Sequence, residues 1–553
     1  MTLKLFRNII TILFLLYSAT SISMAESGIH IRLNQLGFLP GDLKSGIIIS
    51  EVTLDSEEFK IVCYTNKDVE FRSKLKKSKG AFGKFKYSYT FDFSKFKKEG
   101  EYIVEVKDQQ SHPFKIDAEV YNQVVDSLMQ FFKVQRCGYT NPMLHETCHK
   151  GDVAFLLEGE KRINQHPDLT GGWHDAADYV KFLNTTAFTT YTLLFAYDFD
   201  QKKFGFDNND NGTPDILEEA RVGLDWMLRA NYEKYKLVTQ VQDLSDHEQG
   251  FRLPENDKLE FARPGFIGIG KNLIGIYTAA MSLASRIWRS KFYDNEFADK
   301  CLTAAENLFS IRNDVADIDS SGSGMYIDAG YKGKLALGAV EMYLTTNRSE
   351  LLNEAVELAD AAGSEYWWSW GNIAAYAHYR LGKLNKRFAD YLENNLIVFN
   401  TNKDSSLFNE ATSLTWGSNN TLLGVALQNI LWKKLKYKSD YDTVATFQRD
   451  YIMGRNQWGV CFIQNIGTVF SENLHHQISY LKNGRLPGGF AAGPVLKEFL
   501  DQYNIPFEKE DRFKKFQTRE AVYRDDPMDY ITNEPTIVAN ATAIFVMGYY
   551  SKR

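Results

Sequence analysis

Two aspartates three residues apart stand in the segment Gly171-Gly172-Trp173-His174-Asp175-Ala176-Ala177-Asp178-Tyr179. If this segment is helical, Asp175 and Asp178 share one face and converge on one water, one taking its proton while the other orients it. The plainer alternative is a helix start, Asp175 near the cap and Asp178 in the first turn, where the helix dipole favours negative charge. A third acid, Glu534, ends the stretch Tyr523-Arg524-Asp525-Asp526-Pro527-Met528-Asp529-Tyr530-Ile531-Thr532-Asn533-Glu534, just before Pro535. A carboxyl held among aromatic rings in a partly dry pocket keeps its proton to higher pH and can act as an acid. Otherwise it is a surface glutamate at a helix start. His475 and His476 lie in a Gly-rich stretch between Gly454-Arg455-Asn456 and Leu486-Pro487-Gly488-Gly489-Phe490. They can donate to substrate oxygens, bind a metal, or serve as structural histidines.

The elements that must position these residues follow from the rest of the chain. Its 553 residues exceed one ordinary domain, and 44% hydrophobic with 24% charged residues exclude disorder and collagen-like repeats. A net charge of −6 gives no basic field to hold nucleic acid. Aromatics reach 14% through 38 Phe, 30 Tyr and 9 Trp, either core filling or a sugar-stacking surface. Twelve prolines in so long a chain argue for long regular elements.

Residues 1–25 carry Lys4 and Arg7, an apolar run over 9–17, and Ser23-Met24-Ala25. That pattern predicts a signal peptide cleaved after Ala25, hence a secreted or periplasmic protein. The apolar run is too short for a spanning helix, and no later run of 18 apolar residues suggests a membrane span in the mature protein. From 26 to 117 the chain reads as β, with short runs at 45–50, 59–64, 85–93 and 102–106 separated by Gly, Asp and Lys clusters, as in a small immunoglobulin-like sandwich. From 118 to 553 the texture is helical. Periodic stretches occur at 121–135, 186–197, 214–231, 272–288, 298–312, 334–344, 350–362, 372–381, 422–436, 441–453 and 536–550. About a dozen helices suit a closed ring of helix pairs with function on the loops at one end.

Together these segments resemble glycoside hydrolase family 9, the inverting β-glucanases, from about His30 to the C-terminus. Ile31-Arg32-Leu33-Asn34-Gln35-Leu36-Gly37-Phe38 looks like the opening strand of the immunoglobulin-like domain found in one branch. The 171–179 stretch resembles the family's Asp-x-x-Asp base segment, and Trp416-Gly417-Ser418-Asn419-Asn420 and Gly454-Arg455-Asn456 its later segments. Residues 523–541 resemble the acid signature. The resemblance implies a small all-β immunoglobulin-like sandwich followed by an all-α (α/α)6 barrel, and single-displacement hydrolysis. It implies Asp178 as general base, Asp175 holding the water, Glu534 as general acid, and active-site positions for His475 and Asp525. Trp173, His247, His476, Trp370 and Tyr530 are then the candidates for sugar contact, and the partner is a polysaccharide or oligosaccharide. An inverting site needs an acid on one face of the sugar and a base–water pair on the other, the division that two close acids and one remote glutamate supply.

Two metal sites enter the same reading, and no organic cofactor does. Cys137, Cys148, His149 and His174 form the two-thiolate, two-imidazole set of a closed tetrahedral zinc site, and the resemblance implies a structural zinc there. A Cys137–Cys148 disulfide is the alternative in an oxidising compartment. The run 207–218 fits a calcium-loop pattern through Asp207, Asn209, Asn211, Asp215 and Glu218, with Gly212 at the sixth position. The alternative there is an Asx-rich turn capping the next helix.

Five departures from the family pattern fall where substrate is gripped. Gln477 replaces an arginine, Ala539 an aromatic and Val495 an asparagine. Gly333 and Lys334 occupy a place usually acidic, and a tryptophan of the cleft wall is represented only by Phe251. Fewer stacking rings and one guanidinium fork less weaken the grip on a long β-1,4-glucan, so the expected substrate is non-cellulosic, branched or short, with endo or exo action open. A glycan-binding protein without turnover is the competing class. Intact Asp175, Asp178 and Glu534 speak against it. A catalytic zinc is a third reading, opposed by four protein ligands that would close the site.

Overall fold

The computed structural model of the chain describes residues 28–54, 58–78, 80–257, 263–322 and 326–553. The signal-peptide segment 1–25 lies outside them.

The first part is a two-sheet sandwich. Its strands are β1 (Ile29–Arg32), β2 (Gly37–Phe38), β3 (Ser45–Ser50), β4 (Glu58–Cys63), β5 (Val69–Lys74), β6 (Lys76–Lys77), β7 (Tyr87–Asp92), β8 (Gly100–Val106), β9 (Gln109–Gln110) and β10 (Phe114–Ile116). One sheet runs β1-β3-β7-β6, the other β2-β10-β8-β4-β5, with β9 paired to β8. Strand β3 is buried on both faces, which is why Ile47-Ile48-Ile49 reads as an unbroken apolar run rather than an alternation. Ile48 joins Phe38, Phe59 and Phe91 in the sandwich core, while Ile47 and Ile49 face the other way into the core of the helical part. Polar ties reinforce this seam. Asn34 Nδ2 donates to Asp450 Oδ1 at 2.9 Å and Gln35 Nε2 to the Gly459 carbonyl at 2.6 Å.

The helical part contains twelve helices of nine residues or more among the described residues. They are α1 (Asn122–Gln135), α2 (Leu183–Phe199), α3 (Asp215–Ala230), α4 (Lys271–Ile287), α5 (Asn295–Ser310), α6 (Lys332–Thr346), α7 (Ser349–Ala362), α8 (Ala374–Gly382), α9 (Ala389–Ser405), α10 (Ser418–Lys436), α11 (Asp442–Ile452) and α12 (Ile537–Tyr550). Packing runs α2–α4–α6–α8–α10–α12 and back to α2, closing an inner ring of six. Each inner helix carries one outer partner: α3, α5, α7, α9, α11 and, for α12, α1. Sequence pattern sorts the layers. Helices α2 and α12 are buried all round except near their C-terminal ends, whereas α3, α5 and α7 bury one stripe and expose the rest. The expected (α/α)6 barrel is what forms. Helix α9 was not anticipated: its buried stripe is narrow and includes Asn395 and Lys403 beside Leu392, Leu396 and Phe399, which weakens the apolar period.

An addition to the all-α expectation is a five-stranded sheet at the barrel mouth. Strands β11 (Phe155–Glu158), β12 (Lys161–Ile163), β13 (Lys181–Phe182), β14 (Leu237–Val241) and β15 (Pro264–Gly268) lie in the order β12-β11-β15-β14-β13. Its strands have two to five residues, too short to stand out by periodicity. Strand β13 leads straight into α2, so the sheet anchors the segment carrying Asp175 and Asp178. Glu534 similarly enters α12. The inner helices thus deliver both ends of the acidic constellation to one mouth.

Candidate active site

The Asp175–Asp178 segment is irregular, not helical as the shared-face argument required. Convergence arises instead from a tight loop in which Asp175 N–H donates to the Val180 carbonyl at 3.0 Å. Asp178 Oδ1 accepts the Val180 N–H at 2.9 Å. Its Oδ2 lies 2.8 Å from Nε2 of His247. His247 Nδ1 in turn meets the Leu244 carbonyl at 2.9 Å. Both ring nitrogens therefore face acceptors, and the ring satisfies them only as the doubly protonated imidazolium. The hydrogen bond to Asp178 is the main reason its pKa rises to about 9. Asp175 is enclosed: Thr185 Oγ1 donates to its Oδ1, and burial raises its pKa to about 7 while Thr185 and Tyr326 oppose the rise.

Glu534 lands against this loop although it is 357 residues from Ala177, whose N–H donates to Glu534 Oε1 at 3.2 Å. Burial, then the charge of Asp178, pushes its pKa up to about 8. A glutamic acid that keeps its proton near neutrality thus stands beside two aspartates and an imidazolium.

The paired histidines divide. His475 sets Nδ1 against the Pro527 carbonyl at 2.7 Å, and burial lowers its pKa to about 4, so it is a neutral ring beside the acidic cluster. His476 was expected to touch sugar but is buried: Nε2–H donates to Gln135 Oε1 at 2.7 Å and Nδ1 accepts the Ser479 N–H. Its work is indirect, since Gln135 Nε2 holds the carbonyls of His174 and Ala176 in the aspartate loop. Asp525 is also a brace. Its Oδ1 accepts the N–H groups of Glu472 and Asn473 at 3.0 and 2.9 Å, and Arg512 pairs with Oδ2 at 2.6 Å, fixing the turn before His475.

Of the aromatic candidates for sugar contact, Trp173 does not reach solvent. Trp173 is buried beneath the site with Nε1 donating to Glu219 at 2.7 Å, and Trp368 and Tyr523 are buried as well. Tyr530 and Trp370 are partly exposed. Tyr530 packs 5.9 Å from the His475 ring and 6.0 Å from Trp416, and Trp370 lies edge-on to Tyr326 at 5.3 Å. Phe251 sits 5.5 Å from His475. Gln477 accepts the Arg252 N–H, Val495 and Ala539 are buried, and Lys334 forms a buried pair with Asp328 at 2.7 Å.

Thr185, Tyr326, Arg252 and Asp257 were not anticipated as parts of the site, and Asp246, which with His247 matches the family pattern, was assigned no role. Asp246 accepts the Tyr179 N–H at 3.0 Å and pairs with Arg252 at 2.6 Å. Of these, only Asp246 carried a signal, its position directly before His247.

Cys137, Cys148, His149 and His174 are the only group of three or more His, Cys, Asp and Glu ligand atoms drawn together among the described residues, all within 4.8 Å. The sulfurs are 3.9 Å apart and both cysteines are free in this structure. His174 Nε2 is 3.2 Å from His149 Nδ1, and Cys137 Sγ is 3.5 Å from His149 Nδ1. Tetrahedral zinc bonds imply ligand separations of about 3.8 Å for two sulfurs and about 3.3 Å for two nitrogens. The donor set therefore fits zinc. Asp257 lies 2.8 Å from His149 Nε2, the outer carboxylate typical of ligating imidazoles. At 207–218 the side chains serve the loop itself: Asp207 accepts the N–H groups of Asn211 and Gly212, Asp215 that of Asn208, and Glu218 the amides of Asn209 and Asn211. That is an Asx-rich turn, and the helix that follows takes no side-chain cap from it.

Residues 121–547 match the family model described as Glycosyl hydrolase family 9, and residues 26–111 that described as Cellulase N-terminal ig-like domain. The chain is 25% identical over 521 residues to endoglucanase D of Acetivibrio thermocellus, covering 85% of this chain and 79% of that protein. It is 25% identical over 575 residues to a xyloglucan-specific endo-beta-1,4-glucanase of Bacteroides ovatus, covering 93% and 92%. The crystal structure of a metagenome-derived family 9 endoglucanase superposes with a TM-score of 0.82 at 25% identity, over 95% of this chain and 100% of that one.

Proposed function

The chain belongs to glycosyl hydrolase family 9, and from that premise we propose that it cleaves β-1,4-glucan-type backbones by a single displacement outside the cytoplasm. Glu534 protonates the leaving oxygen, Asp178 takes a proton from water, and Asp175 with Thr185 orients that water. The observation that carries this reading is the placing of Glu534, with its raised pKa, against the Ala177 N–H between the two aspartates. One carboxyl is held as the acid and another faces an imidazolium, which is the division an inverting reaction needs. His475 and Tyr530 border the acid and are the assigned sugar contacts, with the exposed face of the His247 ring beside Asp178.

Zinc held by Cys137, Cys148, His149 and His174 supplies structure: four protein ligands leave no open position, and His174 precedes Asp175 directly. Calcium at 207–218 has to displace the loop's own hydrogen bonds to Asp207 and Glu218, and a rise in Tm on adding calcium is the test.

The substrate is a branched, mixed-linkage or short glucan rather than crystalline or soluble cellulose. The departures at Gln477, Ala539 and Phe251 support this, as does the xyloglucan-specific relative. A panel of purified glycans decides it. Efficient cleavage of soluble cellulose derivatives with no preference for another glucan overturns the substrate class. Absence of cleavage of every β-glucan overturns the activity.

A further inference from the structure

A cavity of about 670 Å³ lies beside the candidate cleft, between the 464–485 stretch and residues 508–509. Its size is that of small-molecule pockets. Charges in its wall balance, with Glu472 and Glu508 against Arg485 and Lys509, so an ionic ligand of either sign gains little there. Asn465, Asn483 and Arg485 are exposed and their side-chain donors and acceptors have no protein partner among the described residues. Such groups suit a ligand rich in hydroxyls, each able to donate and accept. The wall also carries two aromatic rings, Phe470, which is partly buried, and Tyr480, which is 41% exposed.

The cavity is held open by a fixed frame. Gln464 bonds the Gly484 carbonyl at 2.7 Å and the Glu472 carbonyl at 3.2 Å, tying the two ends of the loop together. Lys509 N–H donates to the buried Asp526 at 2.6 Å. Connection to the cleft runs through rings: Tyr480 is 5.0 Å edge-on from Phe251, and Phe251 is 5.5 Å from His475.

We propose that this cavity is a subsite for a neutral pyranosyl unit of the substrate, stacked on Tyr480 and hydrogen-bonded by Asn483 and Arg485. The inference rests on the glycosidase reading above. The unit comes either from the backbone beyond the cleft or from a branch.

The test uses the full chain as Glu534→Gln, with and without Tyr480→Ala, and separately with Asn483→Ala/Arg485→Ala. Affinity is measured by calorimetry for linear β-1,4-gluco-oligosaccharides of increasing length and for xylosyl-branched ones of the same backbone. Each change is expected to weaken binding about five- to tenfold. Loss confined to the longer linear ligands assigns a backbone unit, and loss confined to branched ligands assigns a branch. In the active chain, the same changes raise KM for the affected ligands and leave kcat on the shortest cleaved substrate unchanged. Equal affinity of parent and both variants for every ligand, or no binding by any of them, overturns the subsite. Failure of the glycosidase reading shows separately, as absence of cleavage by the wild type.

Discussion

His247 Nε2 lies 2.8 Å from Asp178 Oδ2, and the other nitrogen of the same ring is bound to the Leu244 carbonyl. The general base of the proposed reaction thus faces a histidine that is positively charged below about pH 9. The ring is half exposed, so a sugar can pack against its face while both nitrogens stay bound to the protein. This pairing carries a consequence for activity.

His247→Ala removes both the charge and the hydrogen bond and is expected to lower kcat/KM about 10- to 100-fold, the worth of a hydrogen bond to a charged group. His247→Gln restores the donor without the charge and recovers part of the loss. Steady-state kinetics on a soluble glucan checks this. Wild-type rates in both variants contradict the pairing's importance.

Glu534→Gln is expected to lower kcat about a thousandfold, within the range of general acid catalysis. The same change raises Tm at pH 8 to 9. Its pKa is raised from 4.5 to about 8, so the folded state holds the proton more tightly than the unfolded chain. The stability associated with that proton is complete below about pH 4.5 and is lost as pH rises through about 8, and glutamine has no proton to lose. Thermal melts of both proteins across pH 5 to 9 measure the crossing.

Activity of the wild type is expected to fall on the alkaline side with a midpoint near pH 8, where Glu534 ionises. A pH–rate profile with a plateau through pH 9.5 contradicts Glu534 as the acid.

The purified protein is expected to contain about one zinc per chain, closed by four ligands. Chelation at elevated temperature lowers Tm and activity together, because Cys137 N–H donates to the Gly172 carbonyl and His174 precedes Asp175. Asp257→Ala weakens zinc binding about 10- to 100-fold without removing a ligand. Metal analysis after graded chelation separates the two proteins.

Much of this was legible in the residues. The inner helices announce themselves by apolar runs, and the cysteine–histidine set by its ligand types. The Asp-x-x-Asp spacing predicts a helix face, whereas the two aspartates are brought together by loop closure through Val180. Trp173 and His476 misled because sequence shows a residue's chemistry but not the partner that satisfies it, here Glu219 and Gln135. Helices α2 and α3 and strands β13 and β14 separate Asp178 from His247 in the chain, and no local pattern encodes the pair. Thr185 is one turn into α2 and carries no mark of its role.

A single displacement inverts the anomeric carbon, and the anomeric configuration of the first product tests it most directly. Time-resolved proton NMR of a β-linked oligosaccharide during early turnover is expected to show the α-anomer first, followed by mutarotation. Initial release of the β-anomer contradicts the assignment of Asp178 and Glu534 as base and acid.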